Sequence, residues 1–291
     1  MTEAVQVRQV IGELGIPGVI DVHTHFMPRE VMDKVWQYFD HAGENYGIEW
    51  PIEYREDEDQ RLTTLRSLGV TRFTSMIYAH KPNMAQWLNV WSAGFASENP
   101  DCLHTSTFYP EPGVEDYVRG ALGSGTRIFK VHIQVGEFSP VDPVLDGVWG
   151  QLAEAEVPTV IHCGSGPLPG RYTGPEPVRQ LLKRHPKLPL IVAHMGAPEY
   201  AEFLDLADRY ESVRLDTTMA FTDFMNKLAP FPVELKPALA DAGERGDVLF
   251  GSDFPNIPYP FVDQVRALQR LDLGEDFMRE VLYGAAARLF S

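Results

Sequence analysis

The sequence predicts an α/β protein built as a single (β/α)8 barrel domain, the TIM-barrel class, on three observations. Eight short apolar stretches recur along the chain, separated by segments with helical periodicity, as repeated βαβ units require. The repeat fills about 270 residues, which is the size of one such barrel. Polar residues stand at the C-terminal ends of most of these stretches, and in a barrel all strand ends open on one face. An open doubly wound sheet is disfavoured because the first stretch carries no Gly-x-Gly-x-x-Gly turn.

The elements follow in order. Ala4, Val7, Val10, Ile11 and Leu14 have near-helical spacing, so a short helix is expected at residues 3–14, within a leader, 1–18, packed on the barrel domain, 19–291. The apolar run Ile16 to Ile20 reads as the first strand and continues into Asp21-Val22-His23-Thr24-His25-Phe26. Residues 27–56 follow as a long connection rich in aromatic and acidic residues, a lid or a packed excursion. Helices are then predicted at 57–69, 83–97, 114–122, 143–155, 175–185 and 198–210, with strands at 70–78, 103–108, 127–133, 157–162, 188–194 and 213–216. A long segment at 219–243 precedes the last strand, 248–253, and helices at 260–270 and 275–289 close the chain.

Composition narrows the classes of function. A hydrophobic fraction of 44% with 23% charged residues is that of an ordinary globular protein. Twenty-five basic against 41 acidic residues give a formal charge of -16, which argues against nucleic acid or an anionic membrane as partner. Cys102 and Cys163 are too few for a disulfide scaffold and fit a reducing, cytoplasmic setting. The N-terminal segment, interrupted by Glu3, Gln6, Arg8, Gln9 and Glu13, reads as neither signal peptide nor membrane anchor.

The chemistry gathers at the strand ends. On an extended segment alternate side chains share a face, so Asp21, His23 and His25 are expected to point one way. Lys130 and His132, His162, His194, Asp216 and Asp253 close later strands, and five of the nine histidines occupy such positions. Neutral imidazoles joined by a carboxylate are a preferred donor set for zinc and related transition metals.

At these residues the sequence resembles the amidohydrolase superfamily of metal-dependent (β/α)8 enzymes. The motifs are Asp21-Val22-His23-Thr24-His25, His162 in Val-Ile-His-Cys-Gly, His194 in Ala-His-Met-Gly, and Gly251-Ser252-Asp253-Phe254-Pro255. Their spacing and wording are most similar to the amidohydrolase-2 branch, which holds hydrolases as well as decarboxylases of the aminocarboxymuconate-semialdehyde type. The resemblance implies His23, His25, His162 and Asp253 as ligands of one divalent ion, usually zinc, with manganese or iron open. It implies His194 as the acid/base or water-orienting residue, with Asp253 also taking the proton of the attacking water. In two-metal branches a lysine placed like Lys130 is carboxylated and bridges both ions. Here Lys130 is expected to be unmodified, lining the mouth as a cation or ion-paired.

Three readings of function follow. The first is a hydrolase in which metal-activated water opens an amide, ester or lactone of a small carboxylated substrate. The second is a metal-dependent, non-oxidative decarboxylase of an aromatic or unsaturated acid, and the third a non-catalytic barrel that binds a small molecule. Lys130, His132, Arg171 on the Pro/Gly loop 164–172 and His80 are candidate substrate contacts, a guanidinium being suited to two-point capture of a carboxylate. Assembly into a homo-oligomer stays open. His41, His104 and His185 lie away from strand ends and are expected to be structural or solvated.

Overall fold

The computed structural model describes residues 1–291. Nine strands are present: β1 Val19–Ile20, β2 Val70–Thr74, β3 Cys102–Leu103, β4 Thr105–Thr107, β5 Ile128–His132, β6 Thr159–His162, β7 Leu190–Val192, β8 Val213–Asp216 and β9 Val248–Leu249. The chain divides into two compact units, Ser75–Asp216 and a discontinuous one made of Met1–Thr74 with Thr217–Ser291.

In Ser75–Asp216 the strands β4 to β8 lie side by side in chain order, all parallel. The register sets Thr107 opposite Lys130 and His132 opposite His162, so polar strand ends line up across neighbours. β5 and β7 are buried along their length and β6 up to the partly exposed His162, and all three are mostly apolar, as a parallel sheet covered on both faces requires. Helices alternate with them at Val114–Gly123, Asp146–Ala155, Pro175–Arg184 and Tyr200–Arg209. The third shows why: Pro175 opens it, Glu176 and the pair Lys183 and Arg184 complement its dipole, and Val178, Leu181 and Leu182 make its buried stripe. Phe108 packs edge-on against Trp149 at 5.0 Å between ring centres, and Trp149 donates its indole N–H to the Pro140 carbonyl.

Two predicted strands differ in extent. The stretch 103–108 is split at His104, whose carbonyl accepts from Arg127 and Ile128 while its neighbours form β3 and β4. The stretch 70–78 ends as strand at Thr74. Beyond it Met76 takes a left-handed backbone, and the amides of Ser75 and Ala79 donate to the hydroxyls of Thr105 and Thr107 in place of a ladder.

The other unit contains the leader as helix Glu3–Leu14, ended by Gly15 in the left-handed region. The leader is tied into the unit: Arg8 donates to the Ser67 and Arg66 carbonyls at the end of helix Glu58–Ser67, and Glu3 accepts from the Tyr54 hydroxyl and the Val262 amide. β1 pairs in parallel with β2, and the Val22 amide donates to the Phe250 carbonyl just after β9.

The expected loop at 27–56 is largely helical, with helices at Arg29–Phe39 and Ala42–Tyr46. The signal is visible in retrospect, because Val31, Val35, Trp36 and Phe39 recur at helical spacing. Its aromatics pack as structure: the indoles of Trp36 and Trp50 donate to the side chain and backbone carbonyl of Asn256, and Trp50 meets Phe224 edge-on at 4.7 Å. The C-terminal stretch 275–289 is broken by a π-turn at Glu280–Gly284.

Candidate metal centre

The first strand is limited to Val19–Ile20, the last two residues of the predicted run Ile16 to Ile20, and Asp21 to Phe26 continue buried but outside any ladder. The segment is held by bonds that do not need strand regularity. Thr24 and Thr74 clamp each other: the amide of Thr24 donates to the Thr74 hydroxyl, the amide of Thr74 to the Thr24 hydroxyl, and the Thr24 hydroxyl to the Thr74 carbonyl. His25 donates its amide to the Phe254 carbonyl, and Asp253 donates its amide to the carbonyl of His23.

These bonds bring three predicted ligands together. Nε2 of His25 lies 2.8 Å from Oδ1 of Asp253, and Nε2 of His23 lies 3.6 Å from the same oxygen. The two imidazoles meet edge-on with centres 5.2 Å apart, and one donor atom from each of the three residues lies within 4.8 Å of the others. Donors tetrahedral about a zinc ion, bound at about 2.0–2.2 Å, sit roughly 3.4 Å from one another. The separations of 2.8 and 3.6 Å bracket that edge, and two nitrogens with one carboxylate oxygen, all buried, are the chemistry such an ion takes. The residues fit a divalent transition metal.

Asp253 has φ +69°, a left-handed backbone uncommon outside glycine. Met219 and Phe221 of the same unit share that conformation. Non-glycine residues of this kind gather at functional sites, where the surrounding structure holds them in place. Near Asp253 stands Tyr259, which the motifs did not single out. Burial pushes its phenol above the usual tyrosine range, a hydrogen bond with Thr222 opposes that rise, and Asp253 and Asp263 add to it.

A second histidine group lies in Ser75–Asp216. His132 stacks on His162 with ring centres 3.9 Å apart, a direct consequence of their register on β5 and β6, and His194 stands 4.6 Å from His162. Nδ1 of His132 accepts the Val135 amide, which fixes the orientation of the ring. His194 and Met195 are both left-handed, at φ +54° and +56°, and the His194 amide donates to the buried carboxylate of Asp216.

Lys130 is fully buried, and its backbone carbonyl accepts the Thr107 hydroxyl. Burial pushes the Cys163 thiol up, Glu199 adds to that, and Lys130 opposes it. The loop after β6 is anchored by Glu199, which accepts both the amide and the hydroxyl of Ser165, a contact the sequence did not disclose. Arg171 is exposed, its guanidinium resting on the Tyr172 ring at 5.1 Å, and His80 is exposed as well. Thus His23, His25 and Asp253 are gathered in one unit and His132, His162 and His194 in the other, while Arg171 and His80 stand at the surface.

The family model for amidohydrolases, second group, matches residues 20–291. This chain is a member of the amidohydrolase family. Three solved structures similar to this amidohydrolase illustrate its fold. An uncharacterised TIM-barrel protein from Bordetella bronchiseptica is 18% identical, with 93% of this chain and 97% of that one covered and a TM-score of 0.74. A 5-carboxyvanillate decarboxylase from Novosphingobium aromaticivorans, complexed with manganese and 4-hydroxy-3-methoxy-5-nitrobenzoic acid, is 16% identical over 96% and 97% of the two chains, at a TM-score of 0.65. A probable 2-pyrone-4,6-dicarboxylic acid hydrolase from Acinetobacter baumannii, with citric acid bound, is 14% identical over 94% and 99%, at a TM-score of 0.62. The likeness shows that the amidohydrolase has the (β/α)8 barrel fold its alternating pattern predicts. No curated protein matches its sequence. No helix is long and apolar enough to cross a membrane.

Proposed function

We propose that this amidohydrolase is a metal-dependent hydrolase that opens an amide, ester or lactone of a small carboxylated substrate. The observation that carries the reading is the buried His23–His25–Asp253 triad, whose three donors converge at distances suited to one divalent ion. The sequence motifs add His162 to the ligand set and zinc as the preferred metal. When bound, the ion supplies Lewis acidity, which polarises a carbonyl and brings the pKa of water toward neutrality.

The protein's own groups account for orientation and proton transfer. Asp253 presents Oδ1 to His25 and is the carboxylate assigned to take and deliver the proton of the attacking water. His194, its amide held by Asp216, is assigned to orient that water or hydrogen-bond the substrate oxygen. Lys130, in unmodified form, and His132 are the groups assigned to the substrate's carboxylate side, and the exposed Arg171 and His80 are assigned weaker contacts.

The test pairs two assays on zinc-reconstituted protein: opening of simple lactones and esters, and carbon dioxide release from aryl and muconate acids. Lactone or ester turnover that disappears with the metal supports the proposal. Carbon dioxide release without any hydrolysis assigns the same residues to a decarboxylase instead. Absence of bound metal, with no activity gained on adding zinc or manganese, marks a non-catalytic barrel.

A further inference from the structure

We infer that Asp21, one position past β1, is the positioning residue that fixes the His23 side of the triad against the Asp253 side. The inference rests on reading that triad as a metal centre.

Two segments carry the triad, 21–25 and 250–254, and neither is a regular strand. Backbone bonds join them at Val22 to Phe250, Asp253 to His23 and His25 to Phe254, at 3.0, 2.8 and 2.7 Å. Among the buried amides between these points, those of Thr24 and Gly251 donate to the hydroxyls of Thr74 and Thr217, which leaves those of His23 and Ser252. Both go to Oδ1 of Asp21, each at 3.1 Å. Buried amides are rarely left without an acceptor, and the left-handed turn at Asp253 carries the chain out of any ladder that would provide one. One carboxylate oxygen therefore replaces two ladder carbonyls. It ties the amide of a ligand, His23, to the amide adjoining another, Asp253.

Asp21 is itself immobilised. It is fully buried, and its amide donates to the Arg72 carbonyl on β2 at 2.9 Å. Its distance to the ligand side chains is therefore set by backbone on both sides, which is how outer residues orient the ligands of a metal. The same device recurs independently in the other unit, where buried Asp216 takes the amide of His194 at 2.9 Å.

The experiment titrates the metal-free, full-length protein with cobalt(II) for wild type, Asp21→Asn and Asp21→Ala. It reads the visible d–d band and the Kd by chelator competition, and it records the Tm of each metal-free form. Asparagine retains an Oδ1 acceptor, so its Kd is expected within about threefold of wild type with the band unchanged, whereas alanine should weaken binding about 10–100-fold and shift the band. Alanine binding within about threefold of wild type overturns the inference, as does equal loss in both variants with both folded. Should Asp21→Ala fail to fold, Asp21→Asn decides: an unchanged band and Kd support the inference, and a tenfold loss, about the lower bound expected of a displaced outer residue, overturns it. Wild-type protein that binds no cobalt removes the metal-centre reading and the inference with it, an outcome distinct from wild type binding normally and Asp21→Ala binding equally well.

Discussion

Oδ1 of Asp253 lies 2.8 Å from Nε2 of His25, although the two residues are 228 positions apart in the chain. Folding brings a carboxylate from just after the last strand onto an imidazole from just after the first, in a buried setting where neither is well hydrated. Substituting Asp253 by Asn keeps the shape and removes the charge that balances a divalent ion. Asp253→Asn is therefore expected to lower affinity for zinc by at least about tenfold, measured by chelator competition, with the far-ultraviolet circular dichroism unchanged.

His194 tests the division between holding metal and doing chemistry. His194→Asn should retain the metal content of wild type and lose about 100-fold or more in kcat on the ester or lactone that wild type hydrolyses, the usual contribution of a general acid or base. Full activity in this variant would show that the assigned role is wrong.

The Thr24 and Thr74 clamp predicts a stability effect without a change of shape. Thr24→Val removes one hydroxyl that both donates and accepts in a buried setting, at an expected cost of about 1–3 kcal/mol. In a chain of this length each kcal/mol lowers Tm by roughly 2–4 °C, which thermal unfolding followed by calorimetry reads directly.

Gly196 is required by its backbone and by its neighbour. It sits at φ +73°, and a Cβ there would stand 2.0 Å from Cδ2 of Phe203. Gly196→Ala should cost at least about 2 kcal/mol from strain and overpacking together. Trimming the obstacle with Phe203→Leu should recover part of the loss in the double variant, and strict additivity in urea unfolding would count against this contact as the cause.

Buried phenols set a limit at high pH. Burial holds the hydroxyls of Tyr54, Tyr117, Tyr200 and Tyr259 above the ordinary tyrosine value of 10.0, and at Tyr54 the hydrogen bond to Glu3 adds to the effect. The sign follows from linkage: with a raised folded pKa, their stabilisation is complete below pH 10.0 and is lost as pH climbs beyond it, because only the unfolded chain then releases the protons. Each phenol contributes a fall of about 1.4 kcal/mol per pH unit in that range. Urea unfolding at rising pH should show this decline, and Tyr54→Phe should make it shallower. A flat profile above pH 10.0 would contradict the burial of these hydroxyls.

The strands and most helices were legible because periodicity reports burial one element at a time: Glu3–Leu14 and Pro175–Arg184 fall within a residue of their predicted bounds. His23, His25 and Asp253 stand together, in keeping with their place just after the first and last strands, whereas His162, expected in the same ligand set, stands with His132 and His194. Helix Arg29–Phe39 carries its apolar residues at helical spacing, but the aromatic and acidic content of 27–56 reads as a long connection and obscures it. Asp21 was visible only as a member of the first motif, and Glu199 and Tyr259 were not visible at all. Their parts depend on which distant amide, hydroxyl or carboxylate the fold sets beside them, as Ser252 beside Asp21, and spacing along the chain carries no record of that.

The most direct measurement is the metal content of purified protein, stripped by chelator, reconstituted with zinc and desalted, by plasma mass spectrometry beside His23→Ala and His25→Ala. The account predicts one equivalent, about one zinc per chain, in wild type and a small fraction of that in either variant. Wild type that retains no zinc, or variants that retain as much as wild type, would contradict the assignment of this triad as a metal centre.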